Sequence, residues 1–241
     1  MKNVFIYFTM RYMKIFFLLF FVFLFIGCNN SSIYDKLLNN IAEVRQELFV
    51  GNNEDGECSL ICGIRESEYI LNGKAATSKE FGVLTFKLKN YGDISKAEGY
   101  KIKTKNEEYY GDLEQNPYDG SWVADIGKII RLEDYIVAYV YVEDREIGFS
   151  LSSVSDNFNI NYLDAIKIVS DCYNKELKNF VKKEEFCGEM YVKIIESDSL
   201  LGGYYWQVKV ISAYGDSVNV LISASNGDID SSNINIINKI R

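Results

Sequence analysis

The chain has 241 residues, of which 48% are hydrophobic and 25% are charged, enough for one or two domains with apolar cores. It contains no histidine, which excludes Ser-His and Cys-His catalytic pairs and histidine-ligated zinc or copper sites. With 34 acidic residues against 26 basic ones, the net charge is −8. We therefore expect no nucleic-acid partner.

The N-terminus has the pattern of an export signal. Lys14 precedes an uncharged apolar run over residues 15–26, and this run ends in Gly27-Cys28. The run is too short to cross a hydrocarbon layer of about 30 Å comfortably. Translation from Met10 or Met13 instead of Met1 gives a more conventional leader.

The end of the apolar run, Phe25-Ile26-Gly27-Cys28, resembles a bacterial lipobox. This resemblance implies a signal peptide over residues 1–27, cleavage before Cys28, and lipidation of the Cys28 thiol. A diacylglyceryl thioether would supply the two acyl chains that stable anchoring requires. The alternative is an uncleaved membrane anchor. Either interpretation places the rest of the chain on the extracytoplasmic face of the cell membrane.

Residues 28–50 are predicted to form a lipidated tether and a helix. The tether is the polar run over residues 29–32. Six large apolar residues then recur at helical spacing, namely Ile33, Leu37, Leu38, Ile41, Val44 and Leu48. We therefore expect a helix over residues 33–49 whose apolar face packs on the following domain.

From Gly51 the hydrophobic period changes from 3.6 to 2, which predicts an antiparallel β-sandwich-like domain over residues 51–155. The expected strands lie near residues 58–64, 81–89, 100–104, 108–113, 135–142 and 147–151. The segments at residues 63–69, 81–85 and 111–114 are similar to an N-terminal module of uncharacterised lipoproteins from Gram-positive bacteria. This resemblance implies no activity.

The last part, residues 156–241, is predicted to be a small helix-plus-sheet domain. A helix over residues 161–182, capped by Asn159 or Asn161, precedes strands near residues 190–196, 204–213 and 217–225. This order, with the strand at residues 205–210 and the ending at 222–229, resembles the PepSY module. The resemblance implies an α+β fold and a role in binding or restraining peptidases.

Four cysteines follow Cys28, namely Cys58, Cys62, Cys172 and Cys187. An even number in an exported protein is typical of disulfides. Cys58 and Cys62 are about 13 Å apart along one strand, too far to bridge, and we expect buried thiols. Cys172 and Cys187 form the candidate disulfide, provided that the strand after the helix returns along it. Without a Cys-x-x-Cys pair, we predict no zinc site.

Aromatic residues supply the candidate binding surface. The chain has 18 tyrosines and two tryptophans, and clusters of such rings stack well on a glycan or a peptide. The residues we select are Tyr118, Trp122, Tyr205 and Trp206.

The sequence contains few residue patterns that are typical of catalytic sites. The chain has no Ser-x-x-Lys, Walker loop or Gly-x-Gly-x-x-Gly. The pairs Asp112 with Glu114 and Glu184 with Glu185 leave a carboxylate-based glycan hydrolase as an alternative, and a purely structural envelope protein as another. We predict a non-enzymatic lipoprotein without metal or cofactor, anchored in the membrane through Cys28, that binds or regulates an envelope peptidase or a peptide.

Overall fold

The computed structural model describes residues 32–66, 78–89, 97–127, 136–196 and 203–236. Of these residues, 61% lie in strands and 15% in helices. The prediction of an α+β fold is therefore wrong: the described part is mostly β, built from a curled and largely antiparallel sheet with short helices.

Three α-helices occur in the described part, α1 (Ile33–Leu38), α2 (Tyr162–Cys172) and α3 (Asn174–Leu177), with 3₁₀ turns at Ser155–Asn157 and Lys178–Phe180. The strands are β1 (Ile41–Asn53), β2 (Gly56–Glu66), β3 (Ser78–Leu88), β4 (Ala97–Lys103), β5 (Glu108–Gly111), β6 (Glu114–Gln115), β7 (Trp122–Ile126), β8 (Ile136–Val142), β9 (Arg145–Ser153), β10 (Val181–Lys182), β11 (Glu185–Phe186), β12 (Gly188–Glu196), β13 (Tyr204–Ser212), β14 (Ser217–Ser223) and β15 (Ile229–Asn235). Each of the nine strands predicted from the sequence overlaps one of these.

The predicted helix over residues 33–49 is wrong beyond its first turns. Helix α1 ends at Leu38, where the Asn40 side chain donates to the Lys36 carbonyl at 2.7 Å and the Asn39 amide donates to the Asp35 carbonyl. Side chains of this type favour a turn over a continued helix. Strand β1 begins directly afterwards at Ile41.

Strand β1 is the centre of the sheet. Along one edge it pairs with β2 in antiparallel fashion from Glu43 to Asn53. Along the other edge it pairs first with β12, in parallel, and then with β9, in antiparallel fashion. The strand therefore joins the N-terminal and C-terminal halves of the described chain into one 13-stranded sheet.

Two limbs of the sheet lead away from β1 and enclose a first core. One limb continues through β2, β3 and β7, and the other through β9, β8 and β4. Large side chains from both limbs, among them Leu60, Phe86, Ile102 and Phe149, are fully buried in this cluster. Because both limbs supply its walls, the first core is closed by strands, with Leu113 added from the turn between β5 and β6.

A second core lies between the strands β12–β14 and the helices. Ala165, Ile166 and Val169 of α2 are buried in it, together with residues of all three strands. The strands do not form a separate PepSY-like domain, since β12 continues the sheet from β1 and α1 contributes Leu37 to the same core. The helix-plus-sheet prediction for this part is therefore wrong.

The start of α2 agrees with its predicted cap. The Asn161 side chain accepts from the Leu163 and Asp164 amides at 2.8 and 3.0 Å, and the Asp164 side chain accepts from the Asn161 amide at 3.1 Å. This capping box satisfies backbone groups that a helix start otherwise leaves unpaired. Asn161 is confirmed as the N-cap.

Candidate functional site

A concave surface lies where β1 exchanges one neighbouring strand for another. Arg45 is the last β1 residue paired with β12, and Phe49 is the first paired with β9. We call residues 46–48 the fork, because the two neighbouring strands separate there. A cavity of about 340 Å³ opens beside it. We call this cavity the fork pocket; its lining residues are Gln46, Glu47, Ser155, Phe158, Asn159, Ile160, Asn161, Tyr162 and Trp206.

A β-bulge shapes the β1 side of the pocket. Arg45 pairs with Gly63 and Glu47 with Cys62, so Gln46 is an extra residue in β1. A bulge bends its strand and changes the direction of nearby side chains, and bulges are frequent beside functional sites. Both Gln46 and Glu47 consequently line the pocket.

The opposite wall is the segment from Val154 to Tyr162, which leads from β9 into α2. Backbone bonds hold it at both ends: the Val154 amide donates to the Leu48 carbonyl at 3.0 Å, and the Asn159 and Ile160 amides donate to the Ala224 carbonyl at 3.1 Å. The wall is therefore fixed to β1 at one end and to the residue after β14 at the other, as a site with defined geometry requires.

Aromatic rings form the deep part of the pocket. The Trp206 indole is only 2% exposed and donates its Nε1–H to the Ile160 carbonyl at 2.7 Å. Phe158 meets it edge-on with ring centroids 6.1 Å apart, and the Tyr162 ring lies 6.5 Å away. Phe158 and Tyr162 are partly buried, so they present apolar surface to the cavity.

Glu47 supplies the pocket's carboxyl group. The Ser155 hydroxyl donates to it across a long 3.4 Å and also contacts the Ser153 hydroxyl at 2.7 Å. Partial burial raises the pKa of Glu47 above its ordinary value, the Ser155 bond lowers it, and repulsion from Asp156 raises it. The Ser155 hydrogen bond therefore does not fully offset the hydration that the Glu47 carboxylate loses on partial burial.

A second cavity, of about 400 Å³, lies beside β1, β2 and β3 and includes Glu57, Lys87, Glu196 and Tyr204 in its lining. Glu196 adjoins residues 197–202, which lie outside the described residues. The fork pocket, in contrast, combines partly buried aromatic rings with a partly buried carboxyl group. We treat the fork pocket as the candidate site.

The predicted aromatic surface is divided by the fold. Trp122 is 7% exposed in the first core and Trp206 lies in the second. Tyr118 is 96% exposed and Tyr205 partly buried. The four residues therefore do not form one stacking platform; of the four, only Trp206 belongs to the fork pocket.

The cysteines form no disulfide in the described part. Cys58 and Cys62 are buried in β2, as we expected for thiols, and burial raises the pKa of Cys58 well above its ordinary value. Of the candidate pair, Cys172 is exposed at the end of α2 and Cys187 is partly buried before β12. Cys28 lies outside the described residues.

The acidic pairs that suggested a hydrolase lie on the surface. Asp112, Glu114, Glu184 and Glu185 are all exposed, and none of them lines the fork pocket. Among the described residues, no cluster of three or more His, Cys, Asp or Glu side chains has the arrangement of a metal site. No helix within the described ranges is long and apolar enough to cross a membrane.

Of the residues that line the fork pocket, sequence analysis selected only Trp206 as a binding residue; it missed the others, among them Glu47, Ser155 and Phe158. The predicted helix over residues 33–49 put Glu47 on a solvated face, because the helical pattern concealed the strand. Comparison of the chain with protein-family models, with curated proteins and with solved structures finds no match. Its function is therefore inferred from the chemistry of the fork pocket.

Proposed function

We propose that this protein is a lipoprotein of the cell envelope, anchored in the membrane through Cys28 on the extracytoplasmic face. In this proposal its folded part binds a small ligand in the fork pocket and performs no catalysis. The observation that carries the binding role is the fork pocket itself. It combines a fixed wall, aromatic rings and one incompletely compensated carboxyl group, Glu47. Such a combination is typical of small-molecule sites.

Binding is favoured over hydrolysis by the number of carboxyl groups in the pocket. Its lining contains one, that of Glu47. Glycoside hydrolysis ordinarily uses two facing carboxyl groups, one as acid and the other as base or nucleophile. Ser155 also has no histidine base beside it, since the chain contains no histidine, which excludes the common Ser-His mode of activation.

The expected role in regulating a peptidase rested on the PepSY resemblance. The α+β fold that this resemblance implies is wrong for the described part. We therefore infer the ligand from the chemistry of the fork pocket. A peptide is a suitable ligand if its end group fits this pocket.

The anchor is tested by metabolic labelling with a radioactive or clickable fatty acid. We expect Cys28→Ala to abolish incorporation and to release the protein from the membrane fraction. The matched control is Cys172→Ala, which removes an exposed thiol and should leave labelling unchanged. Equal labelling of both variants would contradict the anchor.

The pocket is tested with a ¹⁹F-labelled fragment set that contains neutral, cationic and anionic compounds in comparable numbers. We expect the wild-type full chain in nanodiscs to broaden the resonances of some fragments. Gln46→Trp, which places an indole in the fork pocket, should remove these effects. The matched control is Gln115→Trp, at an exposed position of β6. Fragments that bind equally to wild type and Gln46→Trp would contradict the pocket as the binding site.

A further inference from the structure

Among the described residues that line the fork pocket, the charged side chain is acidic. Glu47 lines the pocket, and Asp156 repels it electrostatically. Among the described residues that line the pocket, none is lysine or arginine. A partly buried carboxylate without a positive partner is unfavourable, so a ligand that brings a positive charge gains more there than a neutral or negative one.

The start of α2 does not reverse this preference. A helix N-terminus attracts anions because its first N–H groups are unpaired. Here the capping box already pairs the amides of Asn161, Leu163 and Asp164. The Asp164 carboxylate also places a negative charge in the first turn. An anionic ligand would therefore meet occupied donors and like charge.

The remaining groups suit a cation with N–H donors and an apolar part. The Asn159 side-chain amide donates to the Ser225 carbonyl at 2.7 Å, which leaves its own carbonyl oxygen as an acceptor. The partly buried rings of Phe158 and Tyr162 line the pocket, and aromatic rings attract alkyl carbon and positive charge.

We infer that the fork pocket recognises an alkylammonium group. The Glu47 carboxylate pairs with the charge, the Asn159 side-chain oxygen accepts an N–H bond, and the rings of Phe158 and Tyr162 contact the alkyl chain. The inference rests on the proposed binding role of the pocket and specifies the ligand class. At about 340 Å³, the cavity is at the small end of ligand sites and suits a small amine or the amine-bearing end of a larger molecule.

Four compounds of similar size test this inference: n-butylammonium, n-butyltrimethylammonium, n-butanol and butyrate. Each is titrated into the full chain in nanodiscs at pH 7, with empty nanodiscs as the blank, and binding is followed by saturation-transfer NMR. We expect butylammonium to bind most tightly, butanol roughly tenfold more weakly, and butyrate not measurably. The trimethyl compound keeps the charge but loses the N–H donors, and should fall between butylammonium and butanol.

Glu47→Gln separates the charge from the shape of the pocket. We expect it to weaken butylammonium roughly tenfold and to leave butanol unchanged, because the amide keeps the size of the side chain. The matched control is Glu98→Gln, which removes the same charge from an exposed position of β4 and should leave both ligands unchanged. Equal effects of the two variants would show non-specific attraction to an acidic protein and overturn the inference.

Butanol binding as tightly as butylammonium, or no binding by any of the four compounds, would also overturn the ammonium preference. The proposed function fails separately. If neutral or anionic ¹⁹F fragments bind wild type and are displaced by Gln46→Trp, the pocket is a binding site for a different ligand class. If Gln46→Trp has no effect on any fragment, the binding role of the pocket fails.

Discussion

The two cores of the described part share β1 but are closed in different ways. In the first core, two limbs of the sheet face each other and Phe86 of one limb contacts Phe149 of the other, with ring centroids 5.7 Å apart. In the second core, the sheet is covered by helices, and α2 buries Ile166 and Val169 against it. One core is strand against strand, and the other is helix against strand.

The difference explains where the fork pocket lies. A strand that serves both cores must exchange one neighbour for another, and β1 does so between Arg45 and Phe49. Between these two residues, β1 pairs with neither β12 nor β9 along this edge. The segment from Val154 to Tyr162 lies opposite residues 46–48 and leaves the fork pocket open between them. The pocket is thus a consequence of joining two cores that are closed differently.

The largest expected effect comes from breaking each core in turn. Phe149→Ala in the first core and Phe180→Ala in the second each remove a ring that is 1% exposed. We expect each to lower the free energy of unfolding by about 3–5 kcal/mol. Tyr118→Ala, at a side chain that is 96% exposed, should change it by no more than about 0.5 kcal/mol. Urea unfolding followed by circular dichroism measures all three.

Urea unfolding followed by tryptophan fluorescence shows whether the two cores unfold together. Each core contains one of the two tryptophans, Trp122 in the first and Trp206 in the second. Fluorescence of Trp206→Phe therefore reports the first core, and that of Trp122→Phe the second. Because β1 belongs to both cores, we expect Phe149→Ala to shift both signals to one lower midpoint. A shift of the Trp122 signal alone would mean that the cores are independent units.

The next largest effect concerns the shared strand itself. An alanine Cβ at Gly63 would lie 1.9 Å from the Val44 carbonyl oxygen, so Gly63→Ala must push β1 away from β2 just before the fork. We expect a loss of about 2–3 kcal/mol and weaker binding in the fork pocket. Gly127→Ala is the matched control, because nothing lies within 4 Å of its Cβ position. Equal thermal stability of the two variants would contradict the close approach of these strands.

A smaller effect is expected from the cap of α2, which belongs to the second core alone. Asn161→Ala removes the side chain that accepts from two helix amides, and we expect a loss of about 1 kcal/mol. Asn233→Ala, at an exposed position of β15, is the control and should change stability by less than about 0.5 kcal/mol. Amide hydrogen exchange in α2 measures the local effect, and unchanged protection there would argue against the cap's contribution.

Sequence reasoning succeeded where local patterns decide the structure. The alternation in β2, β8 and β13 and the cap at Asn161 are local, and the structure confirms them. It failed at β1, whose sequence Ile-Ala-Glu-Val-Arg-Gln-Glu-Leu has good helix formers and a helical stripe. Three neighbouring strands override that preference, and long-range pairing of this kind is not visible in the sequence.

The candidate site was harder to predict for the same reason. Glu47 and Trp206 are 159 positions apart in the sequence, and only the exchange of strands at the fork brings them to one cavity. The aromatic signal pointed to Trp122 and Trp206 as surface residues. Both are buried, because moving the large apolar area of an indole from water into a core is strongly favourable.

The smallest predicted effect concerns the charge of Glu47, at the fork where β1 serves both cores. Partial burial raises the pKa of Glu47 above its ordinary value; the Ser155 hydrogen bond opposes this shift and repulsion from Asp156 adds to it. The native state therefore holds this proton more tightly than the unfolded state does. The stability that this group contributes is greatest at low pH and is lost as the pH rises through the raised pKa. Glu47→Gln, which cannot ionise, should remove that dependence.

We therefore expect Glu47→Gln without ligand to be more stable than wild type at pH 7, by about 0.5 kcal/mol or less, since the side chain is partly exposed. The difference should shrink as the pH falls through the raised pKa, because the wild-type carboxyl then takes up its proton. Denaturation series from pH 4 to pH 8 measure this, with Glu98→Gln as the exposed control. A variant that is less stable than wild type at pH 7 would mean that the Ser155 bond outweighs the cost of burial. The fork would then hold a satisfied carboxylate that has little to gain from a cation.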